Sequence, residues 1–283
     1  MTNDLLATIF KPIVPYVLVL ISIEIVYVSV LMIFYYRSNY YRDTHYKFLK
    51  VFLDNGFKGE YLTYKALSKY EKDGAKFLYN CYIPKGDDET TEIDVLMLHR
   101  TGIYVLESKN YSGWIFGNEK DASWTQTLPN KDKHHFYNPV KQNKTHIMWL
   151  NEMLGNDVCT SIIVFSERCT LKSITLDSKN IHVIKRDELK SLMNKLIHEK
   201  EDTLISNDLE MIYAKLKPYT ELTDQEKKEH IERIKNAKLV CPRCGAKLIL
   251  RKAAKGNHAG KSFYGCSNFP KCRYTKEDDG KAT

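Results

Sequence analysis

From Pro12 to Tyr36 the chain has no Lys, Arg or Asp and one Glu, and Val14–Tyr36 is apolar almost throughout. A helix of about 20 mostly apolar residues crosses a bilayer, so the pattern predicts a membrane span over 13–36. Tyr16, Tyr27, Tyr35 and Tyr36 are partly placed as interfacial anchors. A cleavable signal peptide has a shorter apolar core, a basic start and a small-residue cleavage site; a buried core helix is the remaining alternative. Arg37, Arg42, Lys47 and Lys50 follow the span and Lys11 precedes it. The positive-inside rule then sets the N-terminus outside and all later residues in the cytoplasm. Glu24 lies mid-span, where a charge costs about 3 kcal/mol; either the apolar residues outweigh it or it meets a partner helix.

Residues 37–58 are polar and aromatic and read as a juxtamembrane helix or linker. A globular pattern runs over 59–219. Leu62, Ala66, Leu67 and Tyr70 fall at helical spacing and predict a helix over 59–71. Strands are expected over 77–83, 92–98 and 102–109, and a hairpin from 114–117 and 124–127. Asn138-Pro139 has the form of a helix start, cap first and Pro in the first turn, for a helix ending near Leu154. Cys159–Phe165 is a continuous apolar run of the buried-strand kind. A strand over 181–184 and helices over 187–198 and 207–216 complete the pattern. Thr223-x-x-Glu226 has the form of a capping box and opens a charged helical linker over 220–238.

The C-terminal module, 239–276, carries four of the seven cysteines within 32 residues. Cys241-Pro-Arg-Cys244 and Cys266-x5-Cys272 bracket 21 residues, a spacing suited to a tetrahedral structural Zn2+ site with a β-ribbon between two tight turns. So small a module buries too little apolar surface to fold without the metal. Cys81, Cys159 and Cys169 read as apolar fillers in a reducing compartment, which also disfavours disulfides.

Charge changes the picture further. The formal net charge is +8, yet ten of the 43 basic residues and none of the 35 acidic ones lie in Lys238–Lys276. The rest of the chain holds 33 basic against 35 acidic residues. Within the module Arg243, Lys247, Arg251, Lys252, Lys261, Lys271 and Arg273 interleave with Phe263, Tyr264 and Phe269. Cations track phosphates and aromatic faces stack unpaired bases, so this combination suits a single-stranded nucleic acid. The competing reading is a basic solvated ribbon whose aromatics form its small core. The stretch Phe263-Tyr-Gly-Cys-Ser-Asn-Phe-Pro-Lys-Cys272 resembles the C4 zinc ribbon of bacterial type I DNA topoisomerases. The resemblance implies DNA binding, without topoisomerase chemistry; the expected location is a bacterial cell membrane.

In the central domain Asp94 precedes Glu107-Ser108-Lys109. Ile103, Val105, Glu107 and Lys109 share one strand face by period-two alternation. A charged pair ending an apolar face is costly unless it binds something. Two carboxylates on adjacent strands can hold one Mg2+, and a neighbouring Lys can position or deprotonate water. Glu60, on the preceding helix, is a third acidic group. Acid-x-Lys recurs at Asp177, Glu188, Glu226 and Asp279, and a strand-end surface salt bridge is the plain alternative.

Gly59-Glu60, Glu92-Ile-Asp94, Gly102 to Gly113, Trp124, Asn138-Pro139 and Gln142-Asn143 together resemble the nuclease-related domain (NERD). That family is regarded as related to the restriction-endonuclease-like PD-(D/E)xK fold. The resemblance implies an α/β fold with a central mixed sheet, flanking helices and a metal-dependent nuclease site. Asp94 and Glu107 would be Mg2+ ligands, Lys109 the water-activating base or electrostatic stabiliser, Glu60 a helix-borne partner and Gln142 an auxiliary residue. Ile93 stands where a strict motif has Pro. The expectation is a membrane-anchored nuclease acting on DNA. A non-catalytic DNA tether at the membrane is the rival, and RNA is an alternative substrate.

Overall fold

The computed structural model describes residues 13–86, 89–155, 158–237, 247–253 and 260–277. The chain divides into two compact units, Met1–Glu221 and Leu222–Thr283.

The first unit is built on a five-stranded mixed sheet in the order β1-β2-β3-β7-β9. Strands β1 (Lys76–Pro84), β2 (Thr90–His99) and β3 (Gly102–Lys109) form an antiparallel meander; β7 (Cys159–Phe165) and β9 (Ile181–Lys185) continue it in parallel. Ile162, Ile163, Val164 and Phe165 are all fully buried, as the continuous apolar run requires of a strand covered on both faces. One face packs under α4 (Asn55–Leu67) and α6 (Leu189–Glu199), the other under α5 (Pro139–Leu154) and α7 (Ser206–Leu216). The Asn138 side chain caps α5 by accepting from Val140 N, and Gly155, in the left-handed region at φ 70°, ends it.

A second sheet has the order β6-β5-β4-β8. It joins β4 (Gly113–Asn118), β5 (Ser123–Thr127), β6 (Lys133–Tyr137) and β8 (Cys169–Thr175). The expected hairpin is its centre. Strands β6 and β8 carry no such sequence signal: β6 turns only Phe136 inward, and the β4–β8 register shifts between Ile115 and Phe116, which hides the alternation.

Residues 37–58 are not a loose linker. They fold as α2 (Asn39–Thr44), α3 (Phe48–Leu53) and the first turn of α4, and bury Tyr40, Phe48 and Val51. Their aromatics converge from separate short helices, so no single helical stripe announces them. Helix α4 begins four residues before the expected Gly59, because the Asp54 side chain accepts from Gly56 N and Phe57 N. The preceding α1 (Val14–Tyr36) is long and apolar enough to cross a membrane. At its end Tyr35 is fully buried, its ring 5.1–5.9 Å from those of Tyr61, Phe48 and Phe52.

The second unit has α8 (Asp224–Ala237) and a three-stranded antiparallel ribbon, β10 (Leu248–Lys252), β11 (Ser262–Cys266) and β12 (Thr275–Glu277). Thr223 and Glu226 bond each other's backbone N–H as a capping box does. Leu248, Cys266 and Cys272 form the ribbon's buried centre, with Tyr264 and Tyr274 against it.

Candidate active site

Strands β2 and β3 pair Val95 with Leu106, and the next step of that register sets Asp94 beside Glu107. An Asp94 oxygen, Oδ2, accepts from Ser108 N at 2.8 Å. Glu107 is only 1% exposed. Its Oε1 accepts from Lys109 Nζ at 2.6 Å, and the same ammonium reaches Gln142 Oε1 of α5 at 3.2 Å. The sequence therefore predicts a pair that the fold makes a buried one, not a surface salt bridge. Glu60 comes from α4, close enough for Asp94 to act on its charge, and Tyr40 of α2 donates to its Oε2 at 3.5 Å. The approach of α4 to β3 needs Gly59: a Cβ there would stand 3.0 Å from Ser108 Oγ and 3.1 Å from Asn110 Cβ.

Four groups to which sequence reasoning gave no role complete the site; two of them, Ser108 and Asn143, stand within its motif blocks. His146 Nε2 lies 3.3 Å from Glu107 Oε2, unaligned for a hydrogen bond, and its Nδ1 meets Thr91 Oγ1 at 2.6 Å. Asn143 Nδ2 donates to Val105 O and Ser161 Oγ, tying α5 to β3 and β7. Ser108 supplies the N–H that holds Asp94. The one available signal was spacing: His146 follows Gln142 by four residues, on the same helix face.

The site sets three carboxyl groups, Glu60, Asp94 and the buried Glu107, against one ammonium, Lys109. Burial pushes Asp94 well above the usual carboxylate range, and Glu107 adds to this against the opposing Lys109 and Ser108 N–H. Burial likewise raises Glu60, with Asp94 and Glu92 adding to it. Burial works against the Glu107 carboxylate too, but Lys109 and His146 hold it below its ordinary value. Burial opposes the Lys109 ammonium, yet Glu107 and Asp94 outweigh it and keep it charged.

Such a donor set fits a hard divalent cation. Glu107 Oε2 is buried without an aligned hydrogen bond, and one ammonium, Lys109, serves both Glu107 and Asp94. Among the described residues no group of three or more His, Cys, Asp or Glu is arranged to hold a metal. Two carboxylates suffice for Mg2+, which keeps several waters and shares itself with substrate phosphates.

The sequence matches the nuclease-related domain family over residues 55–166. It is 33% identical over 183 residues to an uncharacterized protein of Bacillus anthracis, covering 64% of this chain and 84% of that one. The chain belongs to the nuclease-related domain family. Its NERD domain thus has a restriction-endonuclease-like fold, consistent with the mixed sheet and with Asp94, Glu107 and Lys109 on adjacent strands. Residues 238–281 match the topoisomerase DNA-binding C4 zinc finger. The DNA topoisomerase 1 of Methanocaldococcus jannaschii is 54% identical over 43 residues, which is 15% of this chain and 5% of that one. No solved structure matches the chain. It is a nuclease-related protein with a zinc ribbon of the DNA-binding kind.

In the ribbon, Cys266 and Cys272 are buried and Asn268 N donates to Cys266 Sγ at 3.4 Å. Cys241, Cys244 and Arg243 lie outside the described residues. The expected nucleic-acid residues separate by face. Tyr264 turns into the small core; Arg251 pairs with Phe263 across β10 and β11. The Arg251 guanidinium lies 5.7 Å from the centre of the Phe269 ring, which is 57% exposed. Lys247, Lys252, Lys261, Lys271 and Arg273 are exposed.

Proposed function

We propose that the chain is a membrane-anchored, Mg2+-dependent nuclease that cuts DNA and holds it with its zinc ribbon. The observation that carries this reading is the buried Glu107 beside Asp94, with one oxygen on Lys109 and the other facing His146 Nε2 at 3.3 Å. When bound there, Mg2+ supplies Lewis acidity for hydrolysis of a phosphodiester. Asp94 and Glu107 hold it, with Ser108 N fixing the orientation of the first. Lys109, hydrogen-bonded to Glu107 and Gln142, serves as the water-activating base or as the electrostatic stabiliser of the phosphate. Gln142 keeps that ammonium in place. Glu60, raised and hydrogen-bonded by Tyr40, is suited to hold a proton close to the reacting phosphate.

Cys241, Cys244, Cys266 and Cys272 are the proposed Zn2+ ligands, and the Arg251–Phe269 face the surface for single-stranded DNA. Residues 13–36 cross the membrane, with the N-terminus outside and the NERD domain (59–219) and ribbon (239–276) in the bacterial cytoplasm. Tyr35 supports the anchoring: the end of the span is packed into the domain core, which fixes the site near the bilayer.

The full chain in detergent micelles is expected to cut plasmid or oligonucleotide DNA with Mg2+ or Mn2+. Asp94→Asn, which keeps an oxygen for Ser108 N, and Glu107→Gln should abolish cutting while circular dichroism stays unchanged. Salt-sensitive DNA binding without cleavage in the wild type would replace the nuclease by the tether. Cleavage of RNA alone would change the substrate.

A further inference from the structure

The second sheet turns one face to solvent, and that face has an unusual composition. Its inner side is filled by Ile115, Trp124 and Phe136, which pack against β7 through Phe165. On the outer side stand Trp114, Phe116 and Tyr137, exposed by 51%, 36% and 59%. Three large aromatics on one open sheet face lose hydrophobic stabilisation for no gain in folding, so the fold does not explain them.

The register makes the face continuous. Trp114 pairs with Thr127, which pairs with Lys133; Phe116 pairs with Thr125, which pairs with His135. On the other side Trp114 pairs with Thr170 and Phe116 with Ser173. The shift between these two pairs leaves Lys172 extra, and its ammonium lies 5.1 Å from the centre of the Trp114 ring. The two central strand positions are therefore aromatic, and hydroxyls and cations flank them. The four strands together hold no Asp or Glu, only Lys133, Lys172, His134 and His135 as titratable cations.

A face of this kind complements a polymer with flat apolar rings and a repeating negative charge. Bases stack on exposed aromatic faces, and lysines at the border meet the phosphates. Base faces are open to such stacking only where bases are unpaired, which excludes an intact duplex. The face is also tied to the candidate site. Strand β4 starts four residues after Lys109, and Gln126 Nε2 donates to Ser112 O in the connection.

We propose that the outer face of β4, β5, β6 and β8 binds a single nucleic-acid strand, with bases stacked on Trp114 and Phe116 and phosphates on Lys172 and Lys133. This is a second nucleic-acid surface, within the NERD domain and separate from the ribbon. It takes from the reading above only that the chain meets nucleic acid.

The chain's tryptophans are Trp114, Trp124 and Trp149, so its ribbon contributes no tryptophan emission. Trp124 is 1% exposed and Trp149 has its indole nitrogen buried. Emission quenched by a bound strand therefore reports on Trp114. With the full zinc-loaded chain in micelles, dT15 and U15 are expected to quench it, reversibly with salt, while a 15-base-pair duplex does not. The two single strands distinguish DNA from RNA as the source of the same chemistry. Trp149→Phe should retain the quenching and Trp114→Phe should lose it. Trp114→Ala with Phe116→Ala should weaken dT15 binding, read by anisotropy, by about tenfold or more. Strands that bind but leave Trp114 emission unchanged overturn the proposal. So does quenching of Trp114 by brominated lipid in nanodiscs, which would make the sheet a membrane-facing surface. Asp94→Asn should keep the Trp114 response. Quenching without cleavage in the wild type would leave this surface standing and remove the nuclease; cleavage without quenching would do the reverse.

Discussion

His146 faces the oxygen of Glu107 that Lys109 leaves free: Nε2 lies 3.3 Å from Oε2, and Thr91 holds the other ring nitrogen at 2.6 Å. A ring fixed at one end restricts the carboxylate at the other, as outer residues do around metal ligands. His146→Ala is expected to lower Mg2+-dependent cutting by about 10–100-fold and to raise the Mg2+ concentration giving half-maximal rate. Thr91→Val should do the same to a smaller degree. A folded His146→Ala chain with wild-type metal response would show that Glu107 needs no such support.

The Glu107–Lys109 pair makes a stability prediction that does not depend on catalysis. Lys109→Met would strand a carboxylate that is 1% exposed, and breaking a buried pair costs about 3–5 kcal/mol. The double variant, with Glu107→Gln added, removes the stranded charge and should recover a large part of that loss. Urea unfolding of the three chains gives the comparison. Equal midpoints for the single and double variants would mean that water reaches Glu107 once Lys109 is gone.

Much of this site was readable because its chemistry sits on strands with strong patterns. Asp94, Glu107 and Lys109 lie on alternating positions of two adjacent β-runs, so face and neighbourhood followed from period two. Gln142 came instead from family resemblance, which also gave Glu60 its role beyond that of a third acidic group, since nothing local to a helix says which sheet end it covers. His146 was missed because a lone His on a helix has no spacing signature of its own. The packing of the juxtamembrane helices was not legible for a related reason. Tyr35, Tyr40, Phe48 and Tyr61 meet in space from four helices, and only the folded chain brings them within reach. Strand β8 was hidden by one extra residue, Lys172, which breaks the alternation.

Acid stability should depend on Glu119. This carboxylate is 7% exposed. Burial opposes its charge, but Lys144 Nζ, Ser178 Oγ and the N–H groups of Ser178 and Asp177 all bond it and bring it from 4.5 to about 2. A carboxylate depressed in the folded state stabilises above its unfolded value, and the stabilisation fades as pH falls from about 4.5 through about 2. A shift of that size corresponds to about 3 kcal/mol; the half-exposed Lys144 screens part of it, leaving about 1–2 kcal/mol. Melting curves of wild type and Glu119→Gln should differ most near pH 6 and converge toward pH 2. A constant difference over that range would place the effect in packing and not in charge.

Zinc removal should act on one unit only. The ribbon's described core is Leu248, Cys266 and Cys272 with two tyrosines, too little apolar surface to persist without metal. A chelator, or Cys266→Ser, is expected to expose 239–276 to proteolysis and weaken DNA binding. The melting transition of the NERD domain, which has its own core, should stay in place. A shift of that transition by more than about 2 °C would mean the two units share stability.

Gly59 offers a case in which stability and geometry part company. Ala in a helix interior is favoured over Gly by about 1 kcal/mol. Its Cβ, however, would stand 3.0 Å from Ser108 Oγ and 3.1 Å from Asn110 Cβ, tight contacts that cost a comparable amount to relieve. The serine hydroxyl can rotate away; the asparagine β-carbon is fixed to the backbone and cannot. Relief therefore comes from α4 lifting off the end of β3, which carries Glu60 away from Asp94. Gly59→Ala is expected to melt within a few degrees of wild type, about 1 kcal/mol either way, yet to lose most Mg2+-dependent cutting. Adding Ser108→Ala should not restore it, because Asn110 Cβ remains. Full cutting activity in Gly59→Ala would mean that Glu60 has no part in the reaction or that α4 yields without moving it.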